Sequence, residues 1–250
     1  MQRIVPMLVL IAVTALLGAC SATDPQDLPT AEERFRLGMT EYADGDYVDA
    51  IQHFEVIRLQ FPGSPVADSA RYFLGMSRYN REEYLLGSYE FNQLIQYNPN
   101  STLQADAQYM HAMCYVAMSP KSPLDQNYTV RAIDALQSFI ETHPRHAKAQ
   151  DAEKTLLELV AKLAQKEYNT GVLYMKLENY KSAELYFDTV IDKYYSTEFA
   201  DDAAAMKIRI LMRRKQYAQV AGAVAGFVKK YPASSYFDEV QGYAKQLPTP

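Results

Sequence analysis

The cysteine and histidine side chains are the groups in this sequence that would be needed for a catalytic or metal site. His143 and His146 form the closest pair, but Pro144 lies between them and interrupts the helical spacing that would bring two ligands to one face. Cys114 has no adjacent base and orienting group, so the pattern favours a small buried apolar residue. Glycine-rich phosphate loops and zinc signatures are missing from the sequence. The sequence therefore predicts a protein that is not an enzyme and holds no metal or dissociable cofactor.

Cys20 is different, because it ends an ordered series of features at the amino terminus. Arg3 supplies a positive charge, and an apolar run from Ile4 to Leu17 follows, shorter than the ~20 residues that a spanning helix needs. Leu17-Gly18-Ala19-Cys20 then resembles the bacterial lipobox. The resemblance implies a signal peptide over 1–19, diacylglycerol on the Cys20 sulfur and an N-acyl chain such as palmitate on its amino group. An ordinary secretory signal with a coincidental cysteine is the alternative.

The segment after the lipobox cysteine links it to the rest of the chain. Residues 20–30 contain two prolines and no helical periodicity, which predicts a flexible tether behind the lipidated cysteine. Ser21 stands where an aspartate would favour retention in the inner membrane. By resemblance to enterobacterial sorting, the protein is expected at the periplasmic face of the cell outer membrane, held there by its lipid anchor.

A repeat runs through the remaining sequence. Leu37-Gly38 recurs 37 residues later as Leu74-Gly75, and tyrosine, phenylalanine and proline positions recur with the same step. Within one unit, apolar residues at helical spacing form a first helix, Asp44-Gly45-Asp46 breaks it, a second apolar-faced helix follows, and Phe61-Pro62-Gly63-Ser64 ends it. A single helix pair cannot bury its apolar face, whereas stacked pairs share a continuous core.

These repeats predict the fold and its subdivision. The pattern resembles the tetratricopeptide repeat, and it predicts an all-α, right-handed α-solenoid of about five tetratricopeptide-like helix pairs. The predicted pairs cover roughly 31–64, 68–101, 105–146, 147–197 and 201–234. We expect N-terminal repeats 1–3 over 31–146, and C-terminal repeats 4–5 with a capping helix over 147–250. The third pair is interrupted by an insertion at 119–127, and the fourth opens with a long helix.

The charge balance excludes one class of partner. The chain carries 25 Lys and Arg against 30 Asp and Glu, a net charge of −5. Nucleic-acid binding needs a basic stripe that neutralises phosphates, and an anionic lipid surface attracts polybasic segments. The sequence therefore predicts no nucleic-acid partner, and contact with the membrane through the lipid anchor.

The order of lipobox, repeats and insertion is similar to that of the BamD family of outer-membrane lipoproteins. The closest stretch is 122–140, running into His143-Pro144, where the family more often has an aromatic residue before the proline. The resemblance implies a scaffold of the outer-membrane β-barrel assembly (Bam) complex. Its implied partners are the periplasmic domain of a BamA-like barrel component and unfolded outer membrane proteins.

Two surfaces are candidates for these partners. The first helices of successive tetratricopeptide pairs line a groove, and flexible methionine with amphipathic tyrosine suits variable peptides. The predicted groove residues are Phe35, Met39, Tyr42, Tyr72, Met76, Tyr79, Tyr109 and Met113. In the fifth repeat, Arg209, Arg213 and Arg214 are the predicted docking residues, because arginine pairs with carboxylates in bidentate fashion. The alternatives are an inter-repeat core for the first set and a solvated helix face for the second.

Two other functions fit a lipid-anchored repeat protein. One is a subunit of envelope or cell-wall machinery, although such proteins often carry a coiled-coil segment, which a short tether leaves no room for. The other is a glycan-binding nutrient-uptake lipoprotein built on the same repeats. Those chains are usually longer, and this sequence has no tryptophan for a sugar platform.

Overall fold

The computed structural model describes residues 29–247, and this part of the chain is all-helical, without a β-strand. Short turns join the helices in sequence. The helices are α1 (Ala31–Asp44), α2 (Tyr47–Gln60), α3 (Ala67–Asn80), α4 (Tyr84–Tyr97), α5 (Gln104–Met118), α6 (Asn127–Thr142), α7 (Ala149–Lys176), α8 (Tyr180–Lys193), α9 (Phe199–Arg213), α10 (Tyr217–Lys230) and α11 (Phe237–Ala244).

The chain divides into two compact units, the first ending at Ala70 and the second beginning at Arg71. The first unit contains the pair α1–α2, and the second contains the helices from α4 onward with most of α3. The predicted subdivision into 31–146 and 147–250 stays a prediction. The signal peptide, Cys20 and most of the tether lie outside the described residues.

Local chemistry explains where α1 begins. The Thr30 hydroxyl accepts a hydrogen bond from the Glu33 backbone N–H at 3.2 Å, and the Glu33 carboxylate accepts one from the Thr30 backbone N–H at 2.9 Å. This capping box satisfies two N–H groups that have no partner within the helix. The last residue of the predicted tether is therefore the residue that caps the first helix.

The turn inside four of the five pairs passes through the left-handed region of the backbone. Gly45 ends α1 with φ +86°, in the left-handed region. At the equivalent positions of three later pairs, Glu82, Glu178 and Lys215 adopt φ values of 62°, 57° and 55°. Such values are uncommon for residues with a Cβ, so the geometry of the helix pair imposes this turn even where glycine is replaced.

The two helices of a pair approach closely where a glycine faces an aromatic ring. A Cβ on Gly38 would lie 2.7 Å from Cε1 of Phe54, and one on Gly75 would lie 2.8 Å from Cε1 of Phe91. Both rings are fully buried. The Leu-Gly signature of the repeat therefore marks the point where a ring packs on the backbone of its partner helix.

In the second unit, each helix from α4 to α10 contacts the next one, and α9 also contacts α7 and α11. The first helices of the fourth and fifth pairs, α7 and α9, thus pack on one another. The all-α fold of helix pairs is confirmed, together with the interruption between α5 and α6, the long α7 and the helix after Ser235. Apolar clusters fill the interior of the unit between neighbouring pairs.

Candidate partner-binding surfaces

The predicted groove residues of the first unit lie on α1 and are half-buried. The ring of Phe35 contacts that of Phe54 at a centroid distance of 5.9 Å, and the ring of Tyr42 contacts that of Tyr47 at 5.6 Å. Met39 lies between these two aromatic residues on the same helix. Phe35 and Tyr42 thus hold α1 against α2 while part of each side chain stays accessible.

Three predicted groove residues of the second unit come together on α3. Tyr72, Met76 and Tyr79 pack, half-buried, against a cluster that contains Phe91 on α4 and Cys114 on α5. Burial raises the pKa of Tyr79 above its usual value and that of Cys114 to about 12, which keeps the thiol protonated at neutral pH. These side chains therefore contribute to the core between two pairs and also reach the surface.

The last two predicted groove residues lie on α5, one turn apart. Tyr109 contacts the buried ring of Phe139 at 5.4 Å, and burial raises its pKa. Met113 is half-buried. Each of the eight predicted residues is thus neither fully buried nor fully exposed, so burial alone does not separate the predicted groove from an inter-repeat core.

Arg209, the first predicted docking residue, is held within the second unit by α11. Its Nε and Nη2 donate to Oε1 and Oε2 of Glu239, each at 2.5 Å, and its guanidinium lies 5.1 Å from the ring centroid of Tyr236. Tyr243 donates to the same carboxylate at 2.5 Å. Hydrogen bonds from Arg209 lower the pKa of Glu239. This arginine therefore attaches the terminal helix to the fifth pair.

The other two predicted docking residues differ from each other. Arg214 donates to Glu184 on α8 at 3.2 Å, which joins the fourth and fifth pairs. Arg213 is exposed, and within residues 29–247 its side chain has no hydrogen-bond or ion-pair partner. The basic cluster thus contains two structural arginines and one arginine that is open to a partner.

The insertion between α5 and α6 is held in place by polar contacts that the sequence analysis did not predict. The Gln126 amide, 7% exposed, donates to the carbonyls of Lys121 and Leu124 at 2.9 and 3.0 Å, and its oxygen accepts from Thr129 at 2.7 Å. From α7, Lys162 donates to Ser119 at 2.8 Å, and Lys166 donates to the Leu124 carbonyl at 2.7 Å. The insertion is therefore an ordered loop with an outward-facing Leu124, 58% exposed.

A cleft of about 450 Å³ lies between α4, α5 and α6. Its lining combines apolar side chains with neutral polar ones, one arginine and one aspartate. The lining residues are Asn92 and Ile95 on α4, Gln108, His111 and Tyr115 on α5, and Arg131, Asp134, Ala135, Ser138 and Phe139 on α6. No pattern in the sequence indicated it, because its polar residues occupy positions typical of solvated helix faces.

A second groove, of about 660 Å³, lies at the equivalent position between α8, α9 and α10. Two ion pairs, Lys207 with Asp188 and Arg214 with Glu184, cross its α8–α9 wall. Its α10 wall carries small residues, and a Cβ on Gly226 would meet no atom within 4 Å. The charged groups of the α8–α9 wall are therefore satisfied by one another.

Two features are missing from residues 29–247. None of the helices in this range has the length and apolar character of a membrane-spanning segment. The same range contains no group of three or more His, Cys, Asp or Glu side chains placed to hold a metal ion. His146 instead faces the Asp106 carboxylate at 3.4 Å, and Phe139 lies between His146 and His143 with ring distances of 5.3 and 5.7 Å.

Repeated pairs of helices, three of them with a glycine under an aromatic ring, define a tetratricopeptide-type repeat protein. The model of one family, described as "Outer membrane lipoprotein" (YfiO), matches residues 28–221. The match covers most of the chain, and the chain belongs to this family.

Relatives from several bacteria are similar to the chain over most of its length. The outer membrane protein assembly factor BamD of Caulobacter vibrioides is 22% identical over 91% of this chain and 76% of its own length. That of Rickettsia prowazekii is 25% identical over 91% and 92%, and that of Pasteurella multocida is 23% identical over 77% and 78%. A thermophilic tetratricopeptide-repeat protein of Thermus thermophilus, of known structure, is 16% identical, with a TM-score of 0.38 over 87% of this chain and 100% of that one.

Proposed function

We propose that this chain is a non-enzymatic, lipid-anchored scaffold of the outer-membrane β-barrel assembly machinery. The observation that carries the proposal is the family match over 28–221, joined by relatives that are named as outer membrane protein assembly factors. Stacked helix pairs support it, because they present long faces on which another polypeptide can bind. The chain needs no dissociable cofactor in this role.

The proposed scaffold stays at the periplasmic face of the outer membrane through Cys20. A diacylglycerol on the sulfur and an acyl chain on the amino group supply the anchor, since each buried CH₂ contributes about 0.8 kcal/mol. Its proposed partners are the periplasmic domain of a BamA-like barrel component and unfolded outer membrane proteins. No nucleic acid is involved.

We assign the barrel component to the basic end of the second unit. Arg213 is the best candidate contact, because it is exposed and unpaired within residues 29–247, whereas Arg209 and Arg214 already bind Glu239 and Glu184. A partner carboxylate would pair with Arg213 directly. Contact with Arg209 would require that carboxylate to compete with Glu239.

The experiment is affinity purification of the full lipidated chain from outer membranes, followed by identification of what accompanies it. We expect a β-barrel protein with a periplasmic domain, and Arg213→Glu should reduce its recovery. Lys176→Glu, at an exposed position at the end of α7, makes the same charge change and should leave recovery intact. Recovery of a sugar transporter or of cell-wall enzymes instead would contradict the proposal.

Within each unit, substrate segments are proposed to lie along the first helices, on the accessible parts of that unit's predicted groove residues. Because Tyr72, Met76 and Tyr79 also pack in the core, replacing all three would mix lost binding with lost stability. Met76→Ala alone is the cleaner variant, compared with Leu85→Ala at an exposed site on α4. Weaker binding of an unfolded outer membrane protein by Met76→Ala, under conditions where both variants remain folded, would support the groove; equal affinities would contradict it.

A further inference from the structure

We propose that the cleft between α4, α5 and α6 is a second polypeptide site, which binds an extended segment of an unfolded outer membrane protein through its backbone and one apolar side chain. This inference rests on the proposed function and names a site and a mode of recognition for it. The site differs from the predicted groove, because on α5 the cleft is lined by Gln108, His111 and Tyr115, whereas the groove residues are Tyr109 and Met113.

The repeat itself offers an internal comparison for this cleft. Asn92 and His111 occupy the positions that Asp188 and Lys207 hold in the groove between α8, α9 and α10, since both differ by 96 residues. Lys207 and Asp188 form an ion pair, so these groups satisfy each other. Asn92 is half-buried and, within the described chain, its side-chain amide has no hydrogen-bond partner. This half-buried amide is therefore solvated in the unbound chain and is available to a ligand.

The imidazole of His111 is fixed with one nitrogen available. Its Nδ1 lies 3.0 Å from the Ser88 carbonyl oxygen and 3.1 Å from the Ser88 hydroxyl, so Ser88 occupies this nitrogen and Nε2 stays available for a hydrogen bond. Burial lowers the pKa of His111, which keeps the ring neutral at neutral pH. Tyr115, beside His111, is packed as well. Its ring centroid lies 5.0 Å from that of His111 and 6.3 Å from that of Tyr128, and the Arg131 guanidinium lies 5.9 Å from it.

The chemistry of the lining points to a peptide backbone. Asn92, Gln108 and Ser138 present amide and hydroxyl groups that both donate and accept, which matches the N–H and C=O groups of an extended chain. Arg131 and Asp134 carry opposite charges on the same helix, so the cleft does not favour an ionic ligand of one sign. A neutral ligand with alternating donors and acceptors fits this lining better than a phosphate or a carboxylate.

The apolar part of the cleft lining specifies what the segment carries. Ile95, Ala135 and the buried ring of Phe139 lie in the same lining as the polar groups. Side chains of an extended segment point alternately to opposite sides, so one can contact these apolar residues while its neighbours face solvent. Alternation of apolar and polar residues is the pattern of transmembrane β-strands. The cleft is therefore suited to a strand of a β-barrel protein before it folds.

The test measures binding of a purified, fluorescently labelled outer-membrane β-barrel protein, unfolded in urea and diluted, to the full lipidated chain in detergent. The variant Asn92→Leu/Gln108→Leu/Ser138→Ala keeps the size of the cleft and removes its neutral hydrogen-bonding groups. We expect affinity to fall at least about tenfold, because each lost hydrogen bond has a modest net effect and three are lost together. Gln219→Leu, at the position in the second groove that matches Arg131, is the control and should bind like the unmodified chain.

A second variant distinguishes loss of binding in the cleft from misfolding of the chain. Ser138 is exposed on α6, so Ser138→Tyr obstructs the mouth of the cleft without entering the core, and it should weaken binding in the same way. A short peptide of alternating apolar and polar residues should compete with the labelled protein, and its backbone N-methylated form should not. If Ser138→Tyr binds normally, or if the N-methylated peptide competes equally well, the cleft assignment is overturned.

The outcomes separate this inference from the proposed function. If the labelled β-barrel protein binds the unmodified chain and both cleft variants equally, the inference fails while the proposed function stands. If the labelled protein does not bind the unmodified chain at all, the substrate role in the proposed function is contradicted, and the cleft inference fails with it.

Discussion

Gly171 on α7 lies so close to Phe187 on α8 that a Cβ on the glycine would be 2.7 Å from Cε1 of the ring. Both residues are fully or almost fully buried, so the ring packs on the α7 backbone in the interior of the fourth pair. In the next pair, 37 residues later, Ile208 and Val224 occupy these positions and are both buried. A larger residue on the first helix is thus accompanied by a smaller one on the second, which conserves the volume between them.

The close approach at Gly171 predicts an unusual effect of alanine. In an exposed helix, Gly→Ala normally stabilises by about 0.5–1 kcal/mol. Here the added methyl overlaps a buried ring, and overpacking costs about 1–3 kcal/mol. We therefore expect Gly171→Ala to lower the free energy of unfolding, measured by urea denaturation followed by circular dichroism.

Gly222 on α10 provides the matched control for this prediction. A Cβ there would meet no atom within 4 Å, so Gly222→Ala should raise the free energy of unfolding by about 0.5–1 kcal/mol. The double variant Gly171→Ala/Phe187→Leu should recover part of the stability that is lost in Gly171→Ala alone. Equal or greater stability of Gly171→Ala compared with the unmodified chain would contradict the proposed packing.

The same positions illustrate how much of the fold could be predicted from sequence. Recurrence of Leu-Gly, of aromatic residues and of helix-ending prolines predicted the pairs, the insertion and the terminal helix, because these signals act locally and repeat. Such signals do not reveal the partner of Arg209, because Glu239 lies 30 residues away and meets it only when α11 packs on α9. Similarly, Gln126 is polar and stands in a loop, and nothing local indicates that it is buried.

The candidate sites were harder to predict than the fold, for a physical reason. Aromatic and methionine side chains suit both a peptide groove and the core between pairs, so spacing alone could not separate these roles for Tyr72 or Met76. The structure gives them both a core contact and an accessible part. The cleft residues Asn92 and Gln108 look like solvated helix positions, and only the packing of three helices brings them together.

Burial of His111 predicts a dependence of stability on pH. Because desolvation lowers its pKa in the folded protein below the ordinary value of 6.5, the unfolded chain binds the proton more tightly. Stability should therefore be highest above about pH 6.5 and decrease as the pH falls through the lower folded pKa. The measurement is the urea midpoint of the full chain between pH 7.5 and 5.

His111→Asn is the variant that isolates this titration. Its amide can still donate to the Ser88 carbonyl, which His111 Nδ1 reaches at 3.0 Å, but it does not titrate. The decline in stability between pH 7.5 and 5 should become shallower in this variant than in the unmodified chain. An identical decline in both would show that other groups cause it.

The contacts of Gln126 predict how the insertion loses its order. Gln126→Ala removes one of the donors to the Lys121 and Leu124 carbonyls, which keep the Leu124 N–H and the Lys166 ammonium, and each lost hydrogen bond costs about 0.5–1.5 kcal/mol. We expect faster hydrogen exchange at the Leu124 and Val130 amides, which donate to Lys121 and Gln126 carbonyls at 3.1 and 3.0 Å.

Lys166→Met tests the attachment of the insertion from the other side, since its ammonium donates to the Leu124 carbonyl at 2.7 Å. It should also increase exchange in the insertion, whereas Lys176→Met, at an exposed position of the same helix, should not. Unchanged exchange in both Gln126→Ala and Lys166→Met would mean that the loop is ordered by other contacts.

The ion pair of Arg209 and Glu239 predicts that the terminal helix depends on it. Arg209→Glu or Glu239→Arg alone places like charges together and should detach α11 from α9, which hydrogen exchange of α11 would detect. Swapping the two residues restores opposite charges, so Arg209→Glu/Glu239→Arg should recover much of the protection of the α11 amides against hydrogen exchange. Because Arg209 lowers the pKa of Glu239, this contribution is present above about pH 4.5 and is lost as the pH falls through the folded pKa.

The exchanged pair also separates a structural role of Arg209 from a docking role. If Arg209 only holds α11, the chain with both charges exchanged should capture the barrel component as well as the unmodified chain does. If a partner carboxylate binds Arg209, that chain should stay folded and lose capture, because glutamate at 209 repels the partner. Arg209 already binds both carboxylate oxygens of Glu239. We therefore expect the charge-swapped chain to capture the barrel component and Arg213→Glu to lose this capture. The opposite result would move the docking contact from Arg213 to Arg209.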